Sequence, residues 1–336
     1  MRRAALASIV VIGLLAGQAE GQTFDYTFVD VPCNPGAPTF CPGGVAVQTI
    51  VSGINAAGDL VGSFVDGAKR QHGFVRHGDS YTTIDVPGEW AGVTGTLPTS
   101  ANGINPAGEI VGSYTLPVNI AVPPDSPAYC SAAFPAACVK GFLYRQGAFF
   151  PVLFPGHPGA VPQRIMPNGD IYGCLHDNDL GMSMYGAVWS RTGDRNLMAN
   201  GGELADTTVD KPMSMNNGAT PGGEVIVGLW MDTRRHGFVV QNGQFQSYDV
   251  PSGTIKVTVI WDINPRGEFV GTYVDATGRH GFLQEPDGSL PIQLDVTGQT
   301  DTIAYGINPY GVIVGTYAVG GLAHGFVATP LVPRRR

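Results

Sequence analysis

The sequence predicts an all-β protein, a six-bladed β-propeller with four-stranded blades in which an N-terminal strand closes the last blade. Three observations predict it. A pattern of the form Gly-Ile-Asn-x-x-Gly-x-(Leu/Ile)-Val-Gly returns along the whole chain, and self-similarity at a fixed period marks a repeat architecture. The last copies stand 44 residues apart, from Gly223 to Gly267 and from Gly267 to Gly311, which is the length of a four-stranded blade. The final copy also stops before its fourth strand, and a match to that strand stands at the N-terminus.

The first signature, GINAAGDLVG at 53–62, recurs as GINPAGEIVG at 103–112, INPRGEFVG at 263–271 and GINPYGVIVG at 306–315. Weaker copies lie at 165–173 and at 214–228, the latter with a short insertion. A second signature follows as His72-Gly73-Phe74, Lys140-Gly141-Phe142, His236-Gly237-Phe238, His280-Gly281-Phe282 and His324-Gly325-Phe326, with Tyr185-Gly186-Ala187 in the third copy. A third closes the unit as IDVPG at 84–88, YDVP at 248–251 and LDV at 294–296.

Each unit reads as four strands. The first runs into Gly-Ile-Asn, where Asn-x-x-Gly makes a tight turn because Asn and Gly tolerate the left-handed backbone region. The second is the apolar run ending in Val-Gly. An Asp-containing turn such as 275–278 leads to the third, which starts at His-Gly-Phe, and a turn such as 241–243 leads to the fourth. The repeat cores fall near 49–88, 99–156, 161–200, 211–252, 257–298 and 301–330 plus 23–32, all within one domain over 22–330. The segment YTFVDVP at 26–32 matches YTTIDVP at 81–87. A ring completed by its first strand has no open sheet edges, which an open solenoid would leave exposed.

These motifs resemble the HAF repeats of extracellular bacterial proteins, whose unit carries a Gly-Ile-Asn-x-x-Gly-x-(Ile/Val)-Val-Gly stretch and a His-(Ala/Gly)-Phe stretch. The resemblance covers essentially all of the chain after its first residues. It implies an extracellular location and a propeller-like fold, and it brings no activity and no catalytic residues.

The ends and the cysteines agree with export. Arg2 and Arg3, the apolar stretch 4–16 and the small residues near Ala19 and Gly21 have the layout of a secretory signal peptide over 1–21. Residues 331–336 form a short basic tail. No later apolar run reaches the length of a membrane-spanning helix. Cys33 with Cys41, and Cys130 with Cys138, each eight apart, suit loop disulfides in an oxidising compartment, while Cys174 is left as a buried thiol. The net charge of −8 and scarce lysine exclude a basic nucleic-acid footprint. A secreted monomer without a cofactor is expected.

Repetition supplies an internal control for site residues, since a residue present in nearly every unit serves the unit. The histidines of His-Gly-Phe therefore read as scaffold, bonded to a neighbouring turn or to Asp85, Asp249 and Asp295. Asp177 and Asp179 resemble a fragment of a calcium loop, but Asp177 falls in the column of the turn residue Asp275 and no terminal Glu follows. Departures on the innermost strand carry more weight. The column before the Gly of Gly-Ile-Asn holds Ser52, Asn102, Gln163, Met213, Trp261 and Tyr305, and Arg164, Ser214 and Asp262 stand in the Gly column. Loops add Glu89, Trp90, His157, 210–211 and Asp301.

Trp90, Trp261 and Tyr305 beside Arg164 and Asp262 would suit a polar ligand such as a sugar; Arg164 and Asp262 could equally satisfy each other. Gly-x-Ser-x-Gly, His-Glu-x-x-His and a phosphate-cradling loop are absent from the sequence. The expectation is an extracellular binding or surface-associated module for a polar small molecule or glycan. The alternative is a hydrolase or lyase at a channel mouth, using Glu89, His157, Arg164, Asp262 and Asp301.

Overall fold

The computed structural model describes residues 23–32, 46–118, 130–133, 138–154, 157–176, 184–190, 213–251 and 254–332. Residues 1–21, expected as a signal peptide, Cys33 and Cys41, the calcium candidates Asp177 and Asp179, and residues 210–211 lie outside them.

The chain opens with β1 (Phe24–Val29). Repeat 1 supplies β2 (Gln48–Ile54), β3 (Leu60–Val65), β4 (Gln71–His77) and β5 (Ser80–Ile84). Repeat 2 supplies β6 (Thr99–Ile104), β7 (Ile110–Thr115), β8 (Val139–Arg145) and β9 (Ala148–Val152). Repeat 3 gives β10 (Gly159–Ile165), β11 (Ile171–His176) and β12 (Met184–Trp189). Repeat 4 gives β13 (Ser214–Ala219), β14 (Val225–Met231), β15 (Arg235–Gln241) and β16 (Gln244–Tyr248). Repeat 5 gives β17 (Val257–Ile263), β18 (Phe269–Val274), β19 (Arg279–Gln284) and β20 (Ile292–Leu294). Repeat 6 gives β21 (Thr300–Ile307), β22 (Ile313–Val319) and β23 (Leu322–Pro330).

The result is all-β, a propeller-like arrangement of antiparallel sheets, with four strands to a repeat except in repeat 3, which has three among the described residues. Hydrogen bonding delineates five sheets rather than six, because a parallel bridge between Arg235 and Val257 joins repeats 4 and 5 into one eight-stranded sheet. β1 lies antiparallel on β23, with Val29 opposite Gly325 and Phe24 opposite Pro330. The first strands touch in succession, β2 on β6, β6 on β10, β10 on β13, β13 on β17, β17 on β21, and β21 on β2 again.

The repeat signatures have direct physical causes. The Phe that follows Gly in the second signature is the core centre of every repeat but the third, where Ala187 stands, with Phe142, Phe238, Phe282 and Phe326 at 0% exposure. Its ring packs against the Gly of Val-Gly. A Cβ on Gly62 would stand 2.8 Å from the Phe74 ring and 1.9 Å from the carbonyl oxygen of Ile50, so no side chain fits. The turn Asn works twice. Asn55 Oδ1 accepts from the backbone N–H of Ala57 and Asp59, while its Nδ2 donates to the carbonyl of Asn105 in the next repeat. Asn105 does the same to Met166, Asn264 to Asn308, and Asn308 to Asn55. The turn signal is thus also a latch between sheets.

Every first strand carries a one-residue bulge, at Ser52, Asn102, Gln163, Asn217, Trp261 and Tyr305. This corrects the sequence alignment of repeat 4: Asn217 and Gly218 occupy the columns assigned to Met213 and Ser214. The insertion causes the shift. The turn there runs from Thr220 to Val225, one residue longer than Asn55 to Asp59. Cys130 and Cys138 form a disulfide in the connection from β7 to β8.

Candidate functional site

At the meeting point of the first strands, backbones approach closely; a Cβ on Gly103 would lie 2.7 Å from the carbonyl oxygen of Gln163. Arg164 fills this centre. Its Nε lies 3.0 Å from Asp262 Oδ2. Its Nη1 donates to the carbonyls of Asn102 and Gln163, and its Nη2 to that of Tyr305. One side chain from repeat 3 thereby ties repeats 2, 5 and 6. Asp262 also accepts from the backbone N–H of Ile263 and Ile307. Both residues are buried, 7% exposed each. Burial raises the Asp262 carboxyl above its ordinary range, against the pull of Arg164 and these N–H groups. The two charges satisfy each other and plug the axis.

The other sequence candidates scatter. Trp261 and Tyr305 pair at 5.1 Å between ring centres beside the plug. Trp90 packs edge-on against Tyr114 and Phe149 in the core between repeats 1 and 2, and Glu89 is exposed next to it on a single 3-10 turn. His157 stacks edge-on between Phe154 and Tyr185. Asp301 sits 4.0 Å from Arg279 Nη1.

The repeated histidines are scaffold. His72 Nδ1 lies 2.7 Å from Asp85, His236 Nδ1 3.0 Å from Asp249, His280 Nδ1 2.7 Å from Asp295, and His324 Nδ1 3.0 Å from Asp30 just after β1. The turn acids Asp66 and Asp232 reach the Nε2 atoms of His72 and His236. Burial pushes the His72 imidazole down, but the carboxylates of Asp85 and Asp66 outweigh it and leave its pKa raised. In repeat 2 the acid column holds Leu153 and the histidine column Lys140. Lys140 is 1% exposed, donates to the carbonyl of Pro158, and is pushed by burial down to about 8. Cys174 on β11 is a buried free thiol, its Sγ 3.3 Å from His176 Nε2.

Two hollows remain. One, of about 310 Å³, lies between repeats 5 and 6 and is polar, lined by Thr277, Arg279, His280, Asp295, Gln299 and Asp301. The second, of about 300 Å³, lies where repeats 3, 4 and 5 meet. Its walls are Met184, Met213, Met215, Leu229, Met231 and Trp261, with His176 and Arg235 also lining it. Of the sequence candidates Asp301 opens on the first hollow, and Trp261 and Met213 on the second. Nothing in the repeat pattern marks Arg279, an ordinary strand-start arginine. The methionines could be grouped only once the register of repeat 4 was known.

No protein-family model matches the chain, and no curated protein is similar to it in sequence. Solved structures are similar in fold. The Hadza microbial sialidase Hz136 superposes with a TM-score of 0.51 at 12% identity, covering 85% of this chain and 65% of that one. A mutant Trypanosoma rangeli sialidase displaying trans-sialidase activity gives 0.50 at 11% identity, covering 91% and 59%. TolB from Acinetobacter baumannii gives 0.49 at 10% identity, covering 81% and 63%. The chain spans less than two thirds of the length of each of these. At such identities the likeness concerns the fold alone. Among the described residues no helix is long and apolar enough to cross a membrane.

Proposed function

We propose that the chain is a secreted six-bladed propeller of the HAF-repeat kind and acts as an extracellular binding module for a polar ligand, sugars included. The count of six is supported by the succession of first strands that returns from β21 to β2. Secretion is supported by the layout of residues 1–21 and by the Cys130–Cys138 disulfide.

The observation that carries the binding reading is the polar hollow between repeats 5 and 6. Arg279 and Asp301 stand there with about half of each side chain exposed, a donor and an acceptor 4.0 Å apart. Such a pair can bracket vicinal hydroxyls, which both donate and accept, with Gln299 and Thr277 beside it. Asp301 is held in the left-handed backbone region, φ 54°, a conformation Asp tolerates better than most residues. A hydrolase is not the reading we adopt, because Arg164 and Asp262 are spent on each other and Glu89 and His157 lie elsewhere.

The test is a glycan and small-acid array probed with the mature protein, beside Arg279→Ala and Asp301→Ala. Selective binding that both variants lose supports the proposal. Binding that both variants retain, or no binding by the parent protein, overturns it.

A further inference from the structure

We infer that the hollow between repeats 3, 4 and 5 is a thioether site for a soft monovalent cation, copper(I), with silver(I) as its redox-inert stand-in. The inference is independent of the polar-ligand reading and rests on a different cavity.

The fold lines up the sulfur-bearing residues across three adjacent strands. Met184, at the start of β12, forms a parallel bridge with Met213. On the other side of Met213, the backbone N–H of Met231 donates to the Met213 carbonyl at 2.9 Å. Residues in register on neighbouring strands project to the same face, and so does a residue two places along. Met184, Met213 and Met231 therefore form a row, and Met215 sits one step along from Met213. All four line the one cavity and are half-buried, within reach of an entering ion.

The repeats show that the scaffold does not require these methionines. The positions of Met213 and Met231 are taken by Gln48 and Val65 in repeat 1, Pro98 and Thr115 in repeat 2, Gly159 and His176 in repeat 3, and Val257 and Val274 in repeat 5. Met215 corresponds to Val259. Packing alone is met elsewhere by valine, proline, glycine or polar residues, so thioethers at all of these places are a local departure.

Chemistry then selects the ion. Thioether sulfur is a soft, uncharged ligand that favours copper(I) over zinc, calcium or magnesium. No carboxylate lines the cavity and Arg235 does, so it offers none of the anionic oxygen ligands that a hard divalent ion requires and leaves only soft, uncharged donors. Among the described residues no three His, Cys, Asp or Glu side chains gather into a site for a harder metal. His176 lines the same cavity and supplies an imidazole for a mixed sulfur–nitrogen set. Cys174 is not part of the site, since it does not line the cavity. Binding changes no oxidation state.

The experiment titrates silver nitrate into the mature protein carrying 13C-labelled methionine methyls, and measures copper(I) affinity under ascorbate by competition with bicinchoninate. One equivalent of silver should shift methionine methyl signals, and excess zinc or calcium should not reverse the shift. Met213→Leu combined with Met231→Leu, a volume-conserving pair, should weaken copper(I) binding roughly tenfold or more. Cys174→Ser should retain it. Should the double variant melt earlier than the parent, Met215→Leu and Met184→Leu, made singly, carry the same expectation. Parent-like affinity in the methionine variants, loss of binding in Cys174→Ser alone, or displacement by zinc overturns the inference.

Discussion

Arg164 Nε stands 3.0 Å from Asp262 Oδ2, each side chain about nine-tenths buried, at the point where the first strands converge. A paired buried charge is expensive to orphan. Asp262→Ala leaves the guanidinium without its counter-charge and should cost about 3–5 kcal/mol. Replacing both, as Arg164→Met with Asp262→Leu, should recover much of that loss. A double-mutant cycle in denaturant checks this, and additive losses would contradict the pairing.

The Val-Gly glycines should be irreplaceable for a steric reason. Gly62→Ala would drive a methyl into the Ile50 carbonyl and the Phe74 ring, for an expected loss of about 2–3 kcal/mol. Gly78→Ala, where a Cβ meets open space at φ +56°, should cost about 1 kcal/mol or less. Comparing the two melting midpoints decides whether contact or backbone conformation dominates.

Histidine 72 gives the fold a pH signature. Its pKa is raised in the folded state, so its contribution is complete below the ordinary histidine value and fades as pH rises through the folded value. Asp66 works in the opposite sense. Burial pushes it up, but hydrogen bonds from Arg70 and His72 leave it lowered, so its contribution fades as pH falls through its folded pKa. The gap in Tm between the parent and His72→Gln should be widest below the ordinary histidine value of about 6.5 and shrink as pH rises above it. A gap independent of pH would refute the assignment.

Lys140 predicts the reverse trend. Its pKa is depressed to about 8, so between about 8 and the unfolded value near 10.4 the unfolded chain binds more protons and stability rises with pH. Lys140→Met should be more stable than the parent at neutral pH, with the difference narrowing across that window. Melting curves from about pH 7 to 10.5 test it.

β1 should behave as a detachable strand. Deleting residues 23–32 uncovers the edge of β23 and removes Asp30 from His324 and Val29 from the core. The truncated protein should melt earlier and associate, and a synthetic peptide of 23–32 should reverse both effects. No change in Tm on deletion would count against closure by this strand.

Much of this architecture could be read from residue order alone. The Phe–Gly contact, the Asn turn and the match of 26–32 to 81–87 each recur often enough to be recognised without coordinates. The second role of Asn55, as a donor to the next repeat, could not be read, because it depends on how sheets stack. Repeat 4 misled the alignment because its turn is one residue longer and its Asn is replaced by Thr220. The same shift hid the methionine row, which needs residues from two repeats and three strands. Arg164 and Asp262 were recognisable as departures that could pair with each other or face a ligand, and the geometry decides for the pair.

The Leu331 N–H donates to the Thr23 carbonyl at 2.9 Å, so the two ends of the described ring meet side by side. During synthesis the strand made first is therefore the last to find its partner. β1 must wait while some 290 residues follow it, and it pairs only when β23 emerges. A stalled or clipped chain lacking β23 keeps β1 as a free, pairing-competent strand, able to dock on the unclosed edge of another copy. Completion of the ring thus reports that the whole chain has arrived, and anything attached at either end departs from one and the same point.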